Sequence, residues 1–301
     1  MPRSTSFLTF LCLAVTLSPL SAQNLPVAIA TDPPANSHPT SNVEIAVPSH
    51  GEQLYGIFYL AAGEAPHPTV LLLHGFPGYE QQLDLAQALR RAGWNVLAVH
   101  YRGSWGVHGN FSFTHCMEDA DAEVAFLLRP EIAAKYRIDT KDIVVIGHSM
   151  GGYMAASATA HNPTVRAVVM IGAWDIGSSI PRGITDKIEI LRKLPAWEGM
   201  EDADFLPLSG CTPQSLALEI YEHRNEWDFI HFAPTLATRP ALILTADDGS
   251  DPDNTRLLAA LKATGDKRAE KIYTKTDHGF SNRRIYMESL ILNWLAALPA
   301  H

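Results

Sequence analysis

The chain has 301 residues, 47% of them hydrophobic and 18% charged, enough for one large core in a single α/β domain that carries an insertion. Its formal net charge of −9 argues against a nucleic-acid partner, because no basic stripe exists to neutralise phosphates. No internal repeat interrupts it.

An apolar run from Phe7 to Leu17 follows Arg3, and Leu20-Ser21-Ala22 precedes Gln23. This predicts a secretory signal peptide over residues 1–22, cleaved after Ala22. The run is short for a bilayer span, so the processed chain is expected to be secreted or periplasmic, with no stable membrane insertion. Residues 23–42, rich in Pro, Ala, Ser and Thr, read as a poorly ordered arm, and the folded domain is expected over 43–300.

Alternating polarity in Val43–Val47 and Leu54–Leu60 predicts two early antiparallel strands. From residue 69 onward, buried strands alternate with helical patterns: Thr69–Leu73, Gln81–Ala92, Asn95–Tyr101, Cys116–Leu128, Ile143–Gly147, Met150–His161 and Arg166–Ile171. Such alternation predicts a parallel sheet covered by helices on both faces. The rhythm breaks over 174–236, where prolines and aromatics scatter among helix-like pieces at Thr185–Leu194 and Pro213–Trp227. That stretch holds eleven Asp plus Glu against five Lys plus Arg, a local net of −6. Beyond it, Ala241–Thr245 and Lys271–Thr274 read as further strands.

Between a predicted strand and a predicted helix lies Gly147-His148-Ser149-Met150-Gly151. A Ser between glycines two before and two after it, in that context, is the pattern of a nucleophile elbow, whose tight turn exposes the hydroxyl above a sheet. Such a Ser needs a base and an orienting acid, and in folds built around an elbow of this kind they follow in the order Ser, acid, His. His278, in Asp277-His278-Gly279-Phe280, supplies the base, and Asp247, Asp248 and Asp251 follow Thr245 as candidate acids. Asp251 precedes Pro252 and has a competing role as helix N-cap. The N–H of Met150 is placed to hold a developing oxyanion. The turn His74-Gly75-Phe76-Pro77-Gly78-Tyr79 is placed to supply a second N–H, although Pro77 cannot donate. His74 is expected to brace this turn by hydrogen bonding, and His148 to pack under the elbow. The remaining histidines show no H-E-x-x-H or C-x-x-C spacing, so neither a metal nor another cofactor is expected in the chemistry. Cys116 and Cys211 permit a disulfide but are equally compatible with free thiols.

Taken together, the turn at 74–79, the elbow, the acid loop and the late His resemble the α/β-hydrolase superfamily over roughly 43–298. The stretches Tyr101-Arg102-Gly103-Ser104-Trp105-Gly106 and Asn110-Phe111-Ser112-Phe113 are similar to bacterial dienelactone hydrolases and acylaminoacyl-peptidase-like enzymes. The resemblance implies a mostly parallel eight-stranded sheet with a cap inserted after strand 6, at 174–236. It implies Asp248, four residues before Pro252, as the acid, and Phe76, just after His-Gly, as the second oxyanion donor. With the export signal, this gives an exported serine hydrolase expected to cleave carboxylic esters with a small or medium acyl group through Ser149, His278 and Asp248. An aminopeptidase-like peptidase, with Glu201, Asp202 or Asp204 binding a substrate amine, is the alternative. A non-catalytic binding protein on the same scaffold is the third reading.

Overall fold

A computed structural model describes residues 25–180, 184, 186–193 and 205–299. The expected signal peptide and the acidic trio Glu201, Asp202 and Asp204 lie outside the described residues. In chain order the elements are α1 (Val27–Ala30), β1 (Ser41–Ser49), β2 (Glu52–Leu60), β3 (His67–Leu73), α2 (Leu83–Arg91), β4 (Asn95–Val99), α3 (Phe113–Leu127) and α4 (Pro130–Tyr136). Then come β5 (Ile138–His148), α5 (Met150–His161), β6 (Val165–Ile171), α6 (Lys187–Lys193), α7 (Pro213–His223), α8 (Ala233–Leu236), β7 (Ala241–Thr245), α9 (Asp251–Ala263), β8 (Ala269–Tyr273) and α10 (Arg284–Ala296).

The strands form one eight-stranded sheet in the order β1-β2-β4-β3-β5-β6-β7-β8. β2 runs antiparallel to both β1 and β4, and every other pairing is parallel. Side chains alternate faces along each strand, and both faces here are dry. Leu71 and Leu73 of β3, Ile143 and Val145 of β5, and Ala241 and Ile243 of β7 join one core. Their neighbours Val70, Leu72, Val144, Ile146, Leu242 and Leu244 join the other. That double burial explains why the strands read as continuous apolar runs rather than alternating ones.

Several boundaries move from their expected places. Helix α3 starts at Phe113 rather than Cys116, because Ser112 caps it by accepting the N–H of His115 at 3.0 Å. Strand β5 extends back to Ile138 through a register irregularity opposite His67 and Thr69. Helix α7 ends at His223, four residues short of Trp227, and opens with a reciprocal capping box between Thr212 and Ser215. The last helix begins at Arg284, with Arg283 in the cap position.

The segment between β6 and β7 carries α6, α7, α8 and two short 3₁₀ turns at Ile176–Ser179 and Phe229–Phe232. It is tied to the body by backbone pairing. Trp105 N–H donates to Pro207 O, Phe111 N–H to Ser209 O and Ser209 N–H to Gly103 O, each at 2.8 Å. The Glu219 carboxylate on α7 accepts the backbone N–H groups of Phe113 and Thr114 at 3.0 and 2.9 Å. These are orphan donors at the start of α3, where a negative charge also meets the positive end of the helix dipole. Cys116 and Cys211 are both free thiols, and burial pushes the Cys116 thiol well up.

Candidate active site

Ser149 sits between the last residue of β5 and the first of α5, with φ 57° and ψ −121°. A non-glycine residue in this region costs about 1–3 kcal/mol and persists only where its surroundings over-determine it. Here they do: Ser149 N–H donates to Ile171 O at 2.9 Å, and Ser149 O accepts from Gly152 and Trp174 at 2.9 and 3.0 Å. The flanking glycines are required by close approach. A Cβ on Gly147 would lie 1.9 Å from Gly151 O, and one on Gly151 would lie 2.1 Å from Leu73 O.

The three candidate acids separate cleanly. Asp248 Oδ2 accepts the Nδ1 proton of His278 at 2.6 Å, and Asp248 Oδ1 accepts from the backbone and hydroxyl of Ser250 at 2.9 and 2.7 Å. The Asp248 side chain is 4% exposed and that of His278 47% exposed, so the acid lies beneath and the imidazole faces out. Burial works to raise the Asp248 carboxyl, but the hydrogen bonds from His278 and Ser250 outweigh it and hold the group well below the usual carboxylate range. Asp247 is exposed, and its N–H donates to Thr276 O at 3.0 Å, joining the acid loop to the histidine loop. Asp251 is not the N-cap. Ser250 takes that place, and Asp251, the first helical residue, pairs instead with Lys271 and accepts from Thr245 Oγ1 at 2.6 Å. Strand β8 runs beside β7, so Lys271 lies within reach of that carboxylate and competes with the capping geometry.

The turn after β3 meets the elbow closely, since a Cβ on Gly75 would lie 3.0 Å from Ser149 Cβ. His74 braces it as expected. Its Nδ1 donates to Gly75 O at 2.8 Å, its Nε2 faces His100 Nδ1 at 3.3 Å, and its carbonyl accepts from Tyr101 Oη at 3.2 Å. Complete burial lowers the His74 pKa to about 3, keeping the ring neutral at ordinary pH. The Phe76–Pro77 bond is cis, and Trp105 Nε1 donates to Pro77 O at 2.8 Å. The Phe76 ring packs edge-on against Phe111 and Phe205. The Met150 N–H opens α5 and has no carbonyl four residues back within the helix to bond.

A cavity of about 630 Å³ brings Ser149, Asp248, His278 and Phe76 together. Its other walls hold residues that sequence reasoning missed. Gly172, at the end of β6, has φ +51°, and a Cβ there would lie 3.1 Å from Asp248 Oδ2 and 3.3 Å from His278 Nδ1. Trp174 adds an aromatic surface and donates from Nε1 to Ser179 Oγ at 2.5 Å. Asp175, fully buried, pairs with Arg256 of α9, which also holds Asp228 at 2.7 Å. Burial, with Asp228 and Asp253 nearby, pushes the Asp175 carboxyl up to about 7. Only Gly172, a glycine closing an apolar strand, left a signal in the sequence. The Asp175–Arg256 pair joins residues 81 positions apart and left none.

The alpha/beta hydrolase family is matched over residues 70–284. A curated relative from Arabidopsis thaliana, the alpha/beta hydrolase domain-containing protein WAV2, is 26% identical over 220 residues, which make up 71% of this chain and 64% of that one. The chain therefore spans less than two thirds of that relative's length. Among solved structures, an esterase from Pyrobaculum calidifontis is similar with a TM-score of 0.61 and 19% identity, covering 86% of each chain. The carboxylesterase EstE1, cloned from a metagenomic library, has a TM-score of 0.62 and 20% identity, covering 91% of this chain and 92% of its own. An acylaminoacyl peptidase from Pyrococcus horikoshii has a TM-score of 0.60 and 16% identity, covering 85% of this chain and 41% of that one. At these identities the structural likeness shows the fold.

Proposed function

Because the chain belongs to the alpha/beta hydrolase family, we propose that it is a serine hydrolase that cleaves carboxylic esters through an acyl-enzyme on Ser149. The observation that carries this reading is the short bond from His278 Nδ1 to a buried Asp248, beside the cavity that the strained Ser149 also lines. With Nδ1 holding its proton for Asp248, Nε2 of His278 is left as a bare acceptor, the tautomer a general base requires. Ser149 Oγ attacks the ester carbonyl, and Nε2 takes the hydroxyl proton and returns it to the departing alkoxide. Water then repeats the sequence on the acyl-enzyme and frees the acid. Negative charge on the carbonyl oxygen is met by the N–H groups of Met150 and Phe76, each donor contributing about 3–4 kcal/mol in the transition state.

The cavity suggests the shape of the substrate. Phe76 and Trp174 offer aromatic surface to a small acyl or alcohol group, and the segment between β6 and β7 serves as a cap that shields the acyl-enzyme from bulk water. Asp253, a part-exposed carboxylate that also lines the cavity, favours a second reading, peptidase-like cleavage next to a free amine. Residues 1–22 are proposed to direct export, which fractionation of cells making the full chain would test.

The deciding experiment is labelling with a fluorophosphonate probe alongside turnover of short p-nitrophenyl esters and aminoacyl anilides. Wild type should label and cleave the esters, and Ser149→Ala should do neither, with turnover reduced about 10⁴- to 10⁶-fold. Labelling of the Ala variant would refute Ser149 as nucleophile. A wild type that fails to label would favour the binding-protein reading, and anilide cleavage exceeding ester cleavage would favour the peptidase.

A further inference from the structure

His148 does more than fill space under the elbow. It is the last residue of β5, paired with Ile171 of β6 and covalently joined to Ser149. Its Nε2 lies 2.9 Å from the backbone carbonyl of His278, 130 residues away. A carbonyl can only accept, so Nε2 carries the proton and donates it. The two imidazole rings lie 4.6 Å apart with a 44° tilt, so His148 also supports the His278 ring from one side. On its other side, the position a Cβ would take on Gly75 is 3.4 Å from His148 Nδ1. Among the described residues Nδ1 has no hydrogen-bond partner, as suits a bare lone pair in the Nε2–H tautomer. One buried residue is thus bonded to the nucleophile through the chain, donates to the histidine loop and lies beside Gly75 of the turn at 74–79.

We infer that His148 is a positioning residue, which uses its Nε2–H to pin the His278 carbonyl and so hold the proton shuttle in register with Ser149. This rests on the assignment of His278 as the general base. The Asp248 bond fixes where Nδ1 of His278 points, Asp247 N–H and Arg284 hold the loop at Thr276 O and Gly279 O on either side, and the bond from His148 fixes the His278 carbonyl itself. The bond requires only that Nε2 carry a proton, and a buried ring is held in its neutral form. Burial and the nearby His278 and Arg284 lower its pKa to about 4, against the bond to His278 O and the Asp248 charge, which raise it. His148 therefore stays neutral while its neighbour gains and loses a proton.

The test uses the full chain and three measurements. Nitrogen-15 NMR of the wild-type imidazoles at pH 7 should show His148 as the neutral Nε2–H tautomer, and a neutral Nδ1–H ring, which has no donor for the His278 carbonyl, would overturn the inference without any mutation. His148→Leu keeps the bulk and removes the donor. It should lower kcat by about 10²-fold, the size of effect a misplacement near 1 Å produces, with KM changed less than about threefold. His148→Gln places an amide N–H₂ at the same number of bonds from Cα and should recover kcat to within about fivefold of wild type. A Leu variant as fast as wild type, or a folded Gln variant as slow as Leu, would overturn the inference. If Leu does not fold, the Gln rate and the tautomer still decide. The underlying assignment fails separately: it falls if Ser149→Ala stays active, whatever the His148 variants do.

Discussion

Replacing Asp248 by Asn tests the site most sharply, because the surroundings dictate how the new amide must sit. Asp248 Oδ1 accepts two bonds from Ser250, one from its backbone N–H and one from its hydroxyl. In Asp248→Asn the side-chain oxygen is the group that can satisfy both, so it stays facing Ser250 and the NH₂ is turned toward His278. Two N–H groups cannot face each other, so His278 must give up its Nδ1 proton and carry it on Nε2. That tautomer can no longer accept the proton of Ser149. A wrong tautomer of this kind costs about 10⁴ in turnover, or about 5.4 kcal/mol at 1.36 kcal/mol per decade. The variant should remain folded, since the replacement is isosteric and retains the Ser250 contacts. The assay is steady-state hydrolysis of a short p-nitrophenyl ester, with Asp247→Asn as the control. Asp247 is exposed and meets the histidine loop through its backbone, so its variant should stay within about threefold of wild type. Retention of more than a few per cent of activity by Asp248→Asn would refute the tautomer argument, and the reverse pattern would move the acid to Asp247.

Two further outcomes follow from the charged residues around the cavity. Asp251→Ala removes the partner of Lys271 and of the Thr245 hydroxyl; it should lower stability by about 1–2 kcal/mol in urea unfolding with kcat within about threefold, and a large kinetic loss at unchanged stability would contradict a structural role. Burial pushes the Asp175 carboxyl up to about 7 in the folded chain, against near 4 in an unfolded one. Between those values the native state binds more protons at this group, so the contribution of Asp175 to stability falls as pH rises from about 4 to 7. The stability of wild type relative to Asp175→Asn should therefore fall across that window in denaturant titrations, and a difference independent of pH would show that Asp175 does not titrate there.

The elbow, the order of the catalytic candidates and the strand–helix alternation were legible in the sequence because each is a local constraint. Gly147 and Gly151 answer to backbone contacts at the turn, and the apolar runs of β3, β5, β6 and β7 record burial on both faces of a parallel sheet. The helix Met150–His161 and the strand Ala241–Thr245 stand at their expected bounds for the same reason. Element starts were harder to place. Ser112 begins α3 early through its own side chain, whereas Asp251 was drawn from capping to Lys271 by a neighbouring strand. Which aspartate meets His278 depended on how the loop after β7 lies against the loop after β8, a relation set by sheet order rather than by any stretch of chain. The wall of the cavity depended on tertiary structure most of all. Gly172 must leave room for the Asp248–His278 pair, Arg256 binds Asp175 across 81 positions, and His148 reaches a carbonyl 130 positions away. Periodicity and motif spacing reveal what a residue needs from its near neighbours; contacts between distant segments exist only once the sheet has brought those segments together.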